Sequence, residues 1–194
     1  MILYIHGFNS SAQSHKAQQL LQWMRAKGLE NDIMIPSLSS VPTEAMAELE
    51  ALAASQKKNT LAFIGSSLGG YYATWLAQRY QSPAVLINPA VKPYDLLSDY
   101  LGRNVNHYSG EEYELRSEHI DELKALEVVS LDHAEQFLVM LQTGDEVLDY
   151  TQACEKYAGS EMIVETGGDH SFSGFERHFD RILDFCGIKT TLNV

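Results

Sequence analysis

Six short apolar runs along the chain predict buried β-strands. Each run is three to five residues long, and turn-forming glycine, proline or small polar residues follow it. They occupy residues 1–5, 33–35, 61–64, 84–87, 137–141 and 161–165. Since these runs are too short for helices, they indicate strands that are buried on both faces.

Between the runs, apolar residues recur at helical spacing. One stripe is Ala17, Leu20, Leu21 and Met24, and similar stripes begin after Pro42, after Gly70 and near the end of the chain. Strands that alternate with helices predict an α/β fold, a doubly wound, mostly parallel six-stranded sheet with helices on both faces. We expect residues 1–194 to form a single domain.

The alternation loosens in residues 92–130, where no convincing strand is visible. Two short helical pieces are predicted at residues 94–101 and 117–126. The segment carries nine acidic and four basic residues, a net charge of −5. Because it directly follows a strand end, it is interpreted as a small helical lid over a functional site. The alternative is a helix pair packed on the flank of the sheet.

Composition narrows the possible partners and the compartment. The formal charge of −12 disfavours nucleic acid and anionic membranes as partners, because both carry phosphates. Cys154 and Cys186 fall on the apolar faces of predicted helices and are expected to be buried free thiols. No signal peptide or transmembrane stretch is visible, so a cytoplasmic location is expected.

Residues 61–77, LAFIGSSLGGYYATWLA, combine a strand, a tight turn and a helix around Ser67. Gly65 and Gly69 flank this serine at two residues on either side. This G-x-S-x-G arrangement is typical of a nucleophile elbow, in which a sharp turn presents the serine hydroxyl above the sheet. The same glycines do not fit a P-loop or a dinucleotide-binding loop.

Asp145 and His170 follow the fifth and sixth predicted strands. With Ser67 they occur in the order Ser, Asp, His, which is the chain order of the α/β-hydrolases. A histidine can take the serine proton, and a carboxylate can orient that histidine. Two other aspartates are nearby, but Asp149 is expected to cap the following helix, and Asp169 is expected to point away from its neighbour His170.

The loops after the first and fourth strands complete the predicted site. The backbone amides of Phe8 and Leu68 are the predicted oxyanion donors. Substrate contacts are expected from His6, Gly7, Asn9 and Asn88. No metal or cofactor is expected, since no ligand spacing is visible.

Several sequence blocks together resemble the YqiA-like bacterial esterase family. They are MILYIHGFNSS at the start, GSSLGGYYATWLA at the elbow, and then INPAVKP, TGDEVLDY and GGDHSF. The resemblance spans nearly the whole chain. It implies a minimal α/β-hydrolase without the usual first hairpin, and an esterase with a Ser-Asp-His triad, with thioesterase activity as an alternative.

Four functions remain open at this point. The first is hydrolysis of a small-molecule carboxylic ester through an acyl-enzyme on Ser67, and the second is an acyl-CoA thioesterase with the same triad. The third is a hydrolase-like protein that only binds a ligand or partner. The fourth, a metal-dependent hydrolase built on His6 and His170, has no supporting ligand spacing.

Overall fold

A six-stranded parallel sheet organises the structure, a computed structural model that describes residues 1–56, 61–106 and 108–189. The sheet strands are β1 (Ile2–Ile5), β2 (Ile33–Met34), β3 (Ala62–Ser66), β4 (Ala84–Ile87), β7 (Phe137–Gln142) and β8 (Glu161–Glu165). These strands confirm the predicted doubly wound α/β architecture. Among the described residues, no helix has both the length and the apolar character that crossing a bilayer requires.

The strand order across the sheet is β2-β1-β3-β4-β7-β8, and every neighbouring pair is parallel. The chain moves from β1 to one side, returns to β3 on the other side, and continues outward from there. In such sheets ligands bind beyond the carboxyl ends of the strands, at the point where the order reverses. That point lies between β1 and β3, so the loops that follow these two strands meet there.

Seven helices connect or flank the strands within the described residues. They are α1 (His15–Ala26), α2 (Pro42–Ala54), α3 (Leu68–Tyr80), α4 (Pro93–Leu97), α5 (Ser117–Ala125), α6 (Tyr150–Lys156) and α7 (Phe179–Phe185). Short 3-10 turns occur at Glu30–Asp32, Ser98–Tyr100, Ala134–Gln136 and Phe175–His178. The predicted stripes on α1 and α7 are buried as expected, with Leu20 and Ile182 fully enclosed.

Successive side chains of each strand alternate between two apolar cores. In β7, Phe137, Val139 and Leu141 pack towards α2, α3, α5 and α6, whereas Leu138 and Met140 pack towards α1 and α7. This period of two is the geometry of a pleated strand that is covered on both faces. It explains why the strands read as continuous apolar runs rather than as alternating ones.

The 92–130 segment differs from its prediction, because it contains a β-ribbon. Strands β5 (Gly102–Val105) and β6 (Glu112–Leu115) pair antiparallel, with Arg103 opposite Glu114. The expectation of an all-helical insertion is therefore wrong. Of these strand residues only Leu115 is buried, so neither strand produces the apolar run by which strands are recognised in sequence.

The helices of this segment pack on the sheet, and its ribbon reaches the loop after β1. Tyr94 of α4 and Leu123 of α5 are buried in the core that contains α3, and the hydroxyl of Tyr71 donates to the Leu123 carbonyl at 2.7 Å. In the ribbon, the hydroxyl of Tyr113 donates to Asn9 Oδ1 at 2.6 Å. The helices thus match the alternative of a helix pair packed beside the sheet, whereas the ribbon contacts the loop after β1 and its role as a lid stays a prediction.

The two cysteines are free, and their burial differs. Cys186 is buried in the core beneath α7, where desolvation raises the pKa of its thiol to about 12. Cys154 on α6 is only half-buried, so the expectation of two buried thiols holds for Cys186 alone.

The packing of α3 against β1 generates a prediction about Gly69. Alanine is ordinarily the better helix former by about 1 kcal/mol. Here, however, an added Cβ would collide with the carbonyl oxygens of Ile5 and His6. We expect Gly69→Ala to destabilise the protein by about 3 kcal/mol or more, since neither backbone group can move away freely.

Urea unfolding followed by circular dichroism measures this loss, and Gly28→Ala is the matched control. Gly28 has a positive φ of 72° but no neighbour within 4 Å of an added Cβ. Its substitution should cost only the strain of a left-handed residue, about 1–2 kcal/mol. A Gly69→Ala protein as stable as the wild type would contradict the packing described above.

Candidate active site

The turn between β3 and α3 holds Ser67 in a strained backbone conformation. Its φ is 54° and its ψ is −121°, values that a residue with a side chain rarely adopts. Three backbone hydrogen bonds fix it there: its amide donates to the Ile87 carbonyl at 3.1 Å, and its carbonyl accepts from Gly70 at 2.9 Å and from Ala90 at 3.1 Å. With its backbone held in this way, the serine keeps its hydroxyl free for the neighbouring loops.

The structure brings together the three residues that the sequence analysis singled out. His170 Nε2 lies 3.1 Å from Ser67 Oγ, and His170 Nδ1 lies 2.8 Å and 3.0 Å from the two carboxylate oxygens of Asp145. Because an ionised carboxylate only accepts, Nδ1 carries the proton and Nε2 is free to accept the serine proton. This is the tautomer that a histidine base requires.

Asp145 is held in its charged form. Its side chain is 2% exposed, and Oδ1 also accepts from the amides of Val147 and Leu148, both at 2.9 Å. Burial by itself would raise the pKa of this carboxyl, but the hydrogen bonds from His170, Leu148 and Val147 outweigh it and keep the pKa below its ordinary value.

The contacts of the other two aspartates agree with the choice of Asp145. Asp149 caps α6, where its carboxylate accepts from the amide of Thr151 at 2.9 Å and from the Thr151 hydroxyl at 2.6 Å. The backbone amide of Gln152 donates to the Asp149 carbonyl at 3.2 Å. Asp169 Oδ2 accepts from the hydroxyl of Ser173 at 2.5 Å.

The loop after β1 lies directly against the elbow. A Cβ on Gly7 would come within 3.2 Å of both Ser66 O and Ser67 Cβ, a tight contact that would require the elbow to shift slightly, so glycine favours this close approach. Phe8 follows Gly7, and Leu68 opens α3; both residues line one small cavity. Within the described part of the chain, the amides of Phe8 and Leu68 have no hydrogen-bond acceptor, as oxyanion donors require.

His6 has contacts that differ from those of a substrate-binding residue. It is buried, its Nε2 accepts from the Leu38 amide at 3.3 Å, and its Nδ1 donates to the Gly7 carbonyl at 3.0 Å. Desolvation lowers the pKa of its imidazole, so the ring is neutral. His6 therefore links the loops after β1 and β2, although part of its surface lines the cavity beside Ser67.

Asn9 and Asn88 also have specific structural partners. Asn9 lines the cavity with a positive φ of 50°, and its side chain accepts the Tyr113 hydroxyl. Asn88 is 2% exposed, and all its side-chain hydrogen bonds run to backbone groups of β7 and of the His170 loop. The contacts of Asn88 assign it to loop support rather than to the predicted substrate contact.

A cavity of about 270 Å³ opens beside Ser67 and His170. Its wall includes the half-buried Lys16, which leaves no signal in the sequence because it is one of several polar residues at the start of α1. Lys16 Nζ donates to the Ser171 carbonyl at 3.0 Å. Desolvation lowers the pKa of this lysine to about 8, although the nearby carboxylates Asp169 and Asp145 act in the opposite direction.

Metal chemistry has no visible site. Among residues 1–56, 61–106 and 108–189, no group of three or more His, Cys, Asp or Glu side chains is arranged to hold an ion. His6 and His170, the pair considered for a metal-dependent hydrolase, are each engaged with other partners.

The family model of UPF0227, an uncharacterised protein family, matches residues 1–187. The chain belongs to the UPF0227 family. This membership confirms the resemblance to YqiA-like proteins drawn from the sequence blocks. A UPF0227 protein from Vibrio parahaemolyticus is 25% identical over 194 residues, which cover 95% of this chain and 98% of the relative.

Solved structures support the fold of this UPF0227 protein. A protein from Agrobacterium vitis superposes with a TM-score of 0.73 at 18% identity, over 95% of this chain and 87% of the other. The mouse α/β hydrolase domain-containing protein 10 gives a TM-score of 0.67 at 14% identity, over 96% and 89% of the two chains. At these identities the likeness shows that the UPF0227 chain has an α/β-hydrolase fold.

The two aspartates that follow β7 allow a direct test of the acid. Asp145→Asn should lower turnover of an activated ester about 10⁴-fold, because the amide would donate to Nδ1 and favour the wrong histidine tautomer. Its stability should change little, since the asparagine oxygen can still accept from Val147 and Leu148. Turnover and the urea midpoint measure the two effects separately.

Asp149→Ala is the matched comparison and should behave in the opposite way. Loss of the cap on α6 should cost about 1 kcal/mol of stability and little turnover. If Asp149→Ala proved to be the inactive variant, the assignment of Asp145 as the acid would be wrong.

Proposed function

We propose that this UPF0227 protein is a serine hydrolase that cleaves carboxylic esters of small molecules through an acyl-enzyme on Ser67. One observation carries the proposal: an unbroken hydrogen-bonded series from Asp145 through His170 to the hydroxyl of Ser67, with distances of 2.8 Å and 3.1 Å. A buried carboxylate, a correctly protonated imidazole and a serine on a strained turn are the three parts of a nucleophilic triad.

Acylation would begin with the transfer of the Ser67 proton to His170 Nε2. As the proton leaves, Oγ attacks the ester carbonyl. The amides of Phe8 and Leu68 donate hydrogen bonds to the carbonyl oxygen and stabilise the negative charge that forms on it. Asp145 stabilises the imidazolium. Collapse of the tetrahedral intermediate breaks the bond to the alcohol, which takes the proton from His170 and departs.

Deacylation would repeat the sequence with water. His170 accepts a water proton as the hydroxide attacks the acyl carbonyl of Ser67. The second tetrahedral intermediate collapses to release the acid, and the proton on His170 returns to Ser67 Oγ. One ester and one water thus yield one alcohol and one acid, and the enzyme is regenerated without a cofactor.

The charge of the protein favours neutral esters over anionic ones. The whole chain carries a formal charge of −12, and residues 92–130, whose ribbon contacts the loop after β1, include nine acidic and four basic residues. This field would repel a carboxylate or phosphate on its approach. We therefore propose small or medium neutral acyl esters as the substrate class.

A thioester of coenzyme A is the second candidate. Lys16 favours it, because this cation lines the cavity that contains Ser67 and His170 and could contact a phosphate of the thiol. Two carboxylates, Asp145 and Asp169, act on the same lysine and already compensate part of its charge. The neutral ester therefore stays the first choice.

Ser67→Ala tests the proposed nucleophile. We expect turnover of an activated ester to fall roughly 10⁴-fold or more while the fold is retained, since alanine removes only the attacking oxygen. A fluorophosphonate should label the wild-type protein at Ser67, as read by mass spectrometry.

Ser82→Ala is the control for this test, since Ser82 is a buried serine whose hydroxyl bonds to the Tyr80 carbonyl, away from the site. It should keep both turnover and labelling. Near-wild-type turnover in a folded Ser67→Ala protein would contradict the proposed mechanism. Absence of fluorophosphonate labelling in the folded wild-type protein would also contradict it and would favour a protein that only binds its ligand.

The dependence of activity on pH should show the protonation of a single group in acidic medium. Protonation of His170 removes its capacity to accept the serine proton, so activity should fall as the medium becomes acidic. The pKa of Asp145 lies below its ordinary value, so its carboxylate should stay ionised in mildly acidic medium. We therefore expect log kcat/KM to decline with a slope of one. A flat profile from pH 5 to 8 would contradict a histidine base.

A further inference from the structure

The loop that carries His170 has almost no regular secondary structure. Residues 169–173, here called the base loop, lie between β8 and the 3-10 turn Phe175–His178. Within the base loop the one backbone-to-backbone bond is from the Phe172 amide to the Asp169 carbonyl, at 3.0 Å. Phe172 is also buried with a positive φ of 60°, a strained conformation for a bulky residue. The position of His170 must therefore be fixed from outside the loop.

Among the described residues, Gln142 forms more hydrogen bonds to this loop than any other residue outside it, while Asn88, Glu146 and Lys16 contribute further bonds. Gln142 ends β7 and is 2% exposed. Its Oε1 accepts from the amides of Asp169 at 3.0 Å and Ser173 at 2.9 Å. Its Nε2 donates to the Ser173 carbonyl and to Glu165 Oε2, both at 2.8 Å. One buried carboxamide thus binds both ends of the base loop, with all four of its hydrogen-bonding positions in use.

Asn88 supports the first two residues of the same loop. It follows β4, and its Nδ2 donates to the carbonyls of Asp169 at 3.0 Å and His170 at 3.2 Å. Its Oδ1 accepts the backbone amide of Gln142 at 3.0 Å. The Asn88 side chain is therefore connected to the backbone of Gln142 as well as to the loop.

The backbone of Gln142 also contacts the acid of the triad. The amide of Asp145 donates to the Gln142 carbonyl at 3.1 Å. Gln142 consequently binds the segment that carries the acid through its backbone and the segment that carries the base through its side chain. A displacement of this one residue would change the distance between Asp145 and His170.

We infer that Gln142 and Asn88 are positioning residues, which hold His170 between Asp145 and Ser67. The inference rests on the proposed function, because it gives these residues a part in its triad. Both carboxamides act through the base loop and neither contacts the reacting atoms. If the loop were free to shift by about 1 Å, transfer of the serine proton would slow by up to about 100-fold.

Gln142→Met tests the inference, since methionine has a similar length but forms none of the four side-chain bonds. We expect kcat for an activated ester to fall about 10- to 100-fold, with KM changed by less than about threefold. The proton NMR signal of His170 Nδ1–H, shifted downfield by its bond to Asp145, should broaden or move. That signal does not depend on substrate, so it reports the geometry of the base directly.

Val139→Ala is the matched control. Val139 lies in the same strand, is fully buried, and points into the core on the α3 side. Its truncation should cost stability through a cavity but leave the base loop intact. Val139→Ala should therefore keep kcat within about twofold and leave the His170 signal unchanged, even if it loses as much stability as Gln142→Met does. If Gln142→Met behaved like this control, the positioning role would be refuted.

Asn88→Asp provides a second variant for the case in which Gln142→Met does not fold. Aspartate tolerates the positive φ of 40° at this position and can still accept the Gln142 amide. It replaces the donor that faces the Asp169 and His170 carbonyls with an oxygen. The inference predicts the same loss of kcat and the same change in the His170 signal, and an unchanged signal would overturn it.

Hydrogen exchange of the wild-type protein needs no variant. The amides of Asp169 and Ser173, which donate to Gln142, should exchange as slowly as those of β8. Rapid exchange at both would refute the inference even if neither variant folded. Failure of the proposed function can be distinguished from failure of this inference. If the proposed function were wrong, fluorophosphonate would not label the wild-type protein at Ser67, irrespective of the results with the Gln142 variant.

Discussion

The close approach of α3 to the end of β1 is the contact on which the site depends. The backbone of Gly69 lies against the carbonyls of Ile5 and His6, and the backbone of Gly65 lies against that of Gly69. Side chains are excluded from this region, so strand, turn and helix touch through their main chains. The amide of Leu68 and the loop from Gly7 to Asn9 are thereby brought beside the hydroxyl of Ser67. No side-chain interaction could hold these elements so near to one another.

Strain is concentrated at the same edge of the sheet. Asn9, Ser67, Asn88 and Phe172 all have positive φ values, and they follow β1, β3, β4 and β8. A residue in such a conformation costs about 1–3 kcal/mol, so each persists only because its surroundings determine it. Ser67 is held by the backbone of β4 and its loop, and the Phe172 region is held by two buried carboxamides. The favourable free energy of packing in the parallel sheet offsets the backbone strain in these loops.

The sequence predicts what depends on local pattern. Buried strands and the G-x-S-x-G turn leave strong local signals, so the sheet and the positions of Ser67, Asp145 and His170 were predictable. The ribbon left none, because Arg103, Glu114 and their neighbours are polar and mostly exposed. The roles of His6, Asn88 and Gln142 depend on partners 32, 81 and 27 residues away, respectively. The available signal was weaker: a carboxamide directly follows the apolar run of β4 and another ends that of β7, and a carboxamide buried there is costly unless it is fully hydrogen-bonded.

The contact between the ribbon and the first loop has a consequence for enzyme redesign. The Tyr113 hydroxyl donates to the side chain of Asn9, and the side-chain Nδ2 of Asn106 donates to the Ser10 carbonyl at 2.9 Å. A library that exchanged the whole ribbon to alter substrate range would also disturb the loop that contains the amide of Phe8. Selection for activity could then not distinguish variants that bind the substrate poorly from variants in which the catalytic step is impaired. Diversity confined to exposed positions such as Val105 and Tyr108, with Tyr113 and Asn106 kept constant, separates the two properties in a directed-evolution experiment.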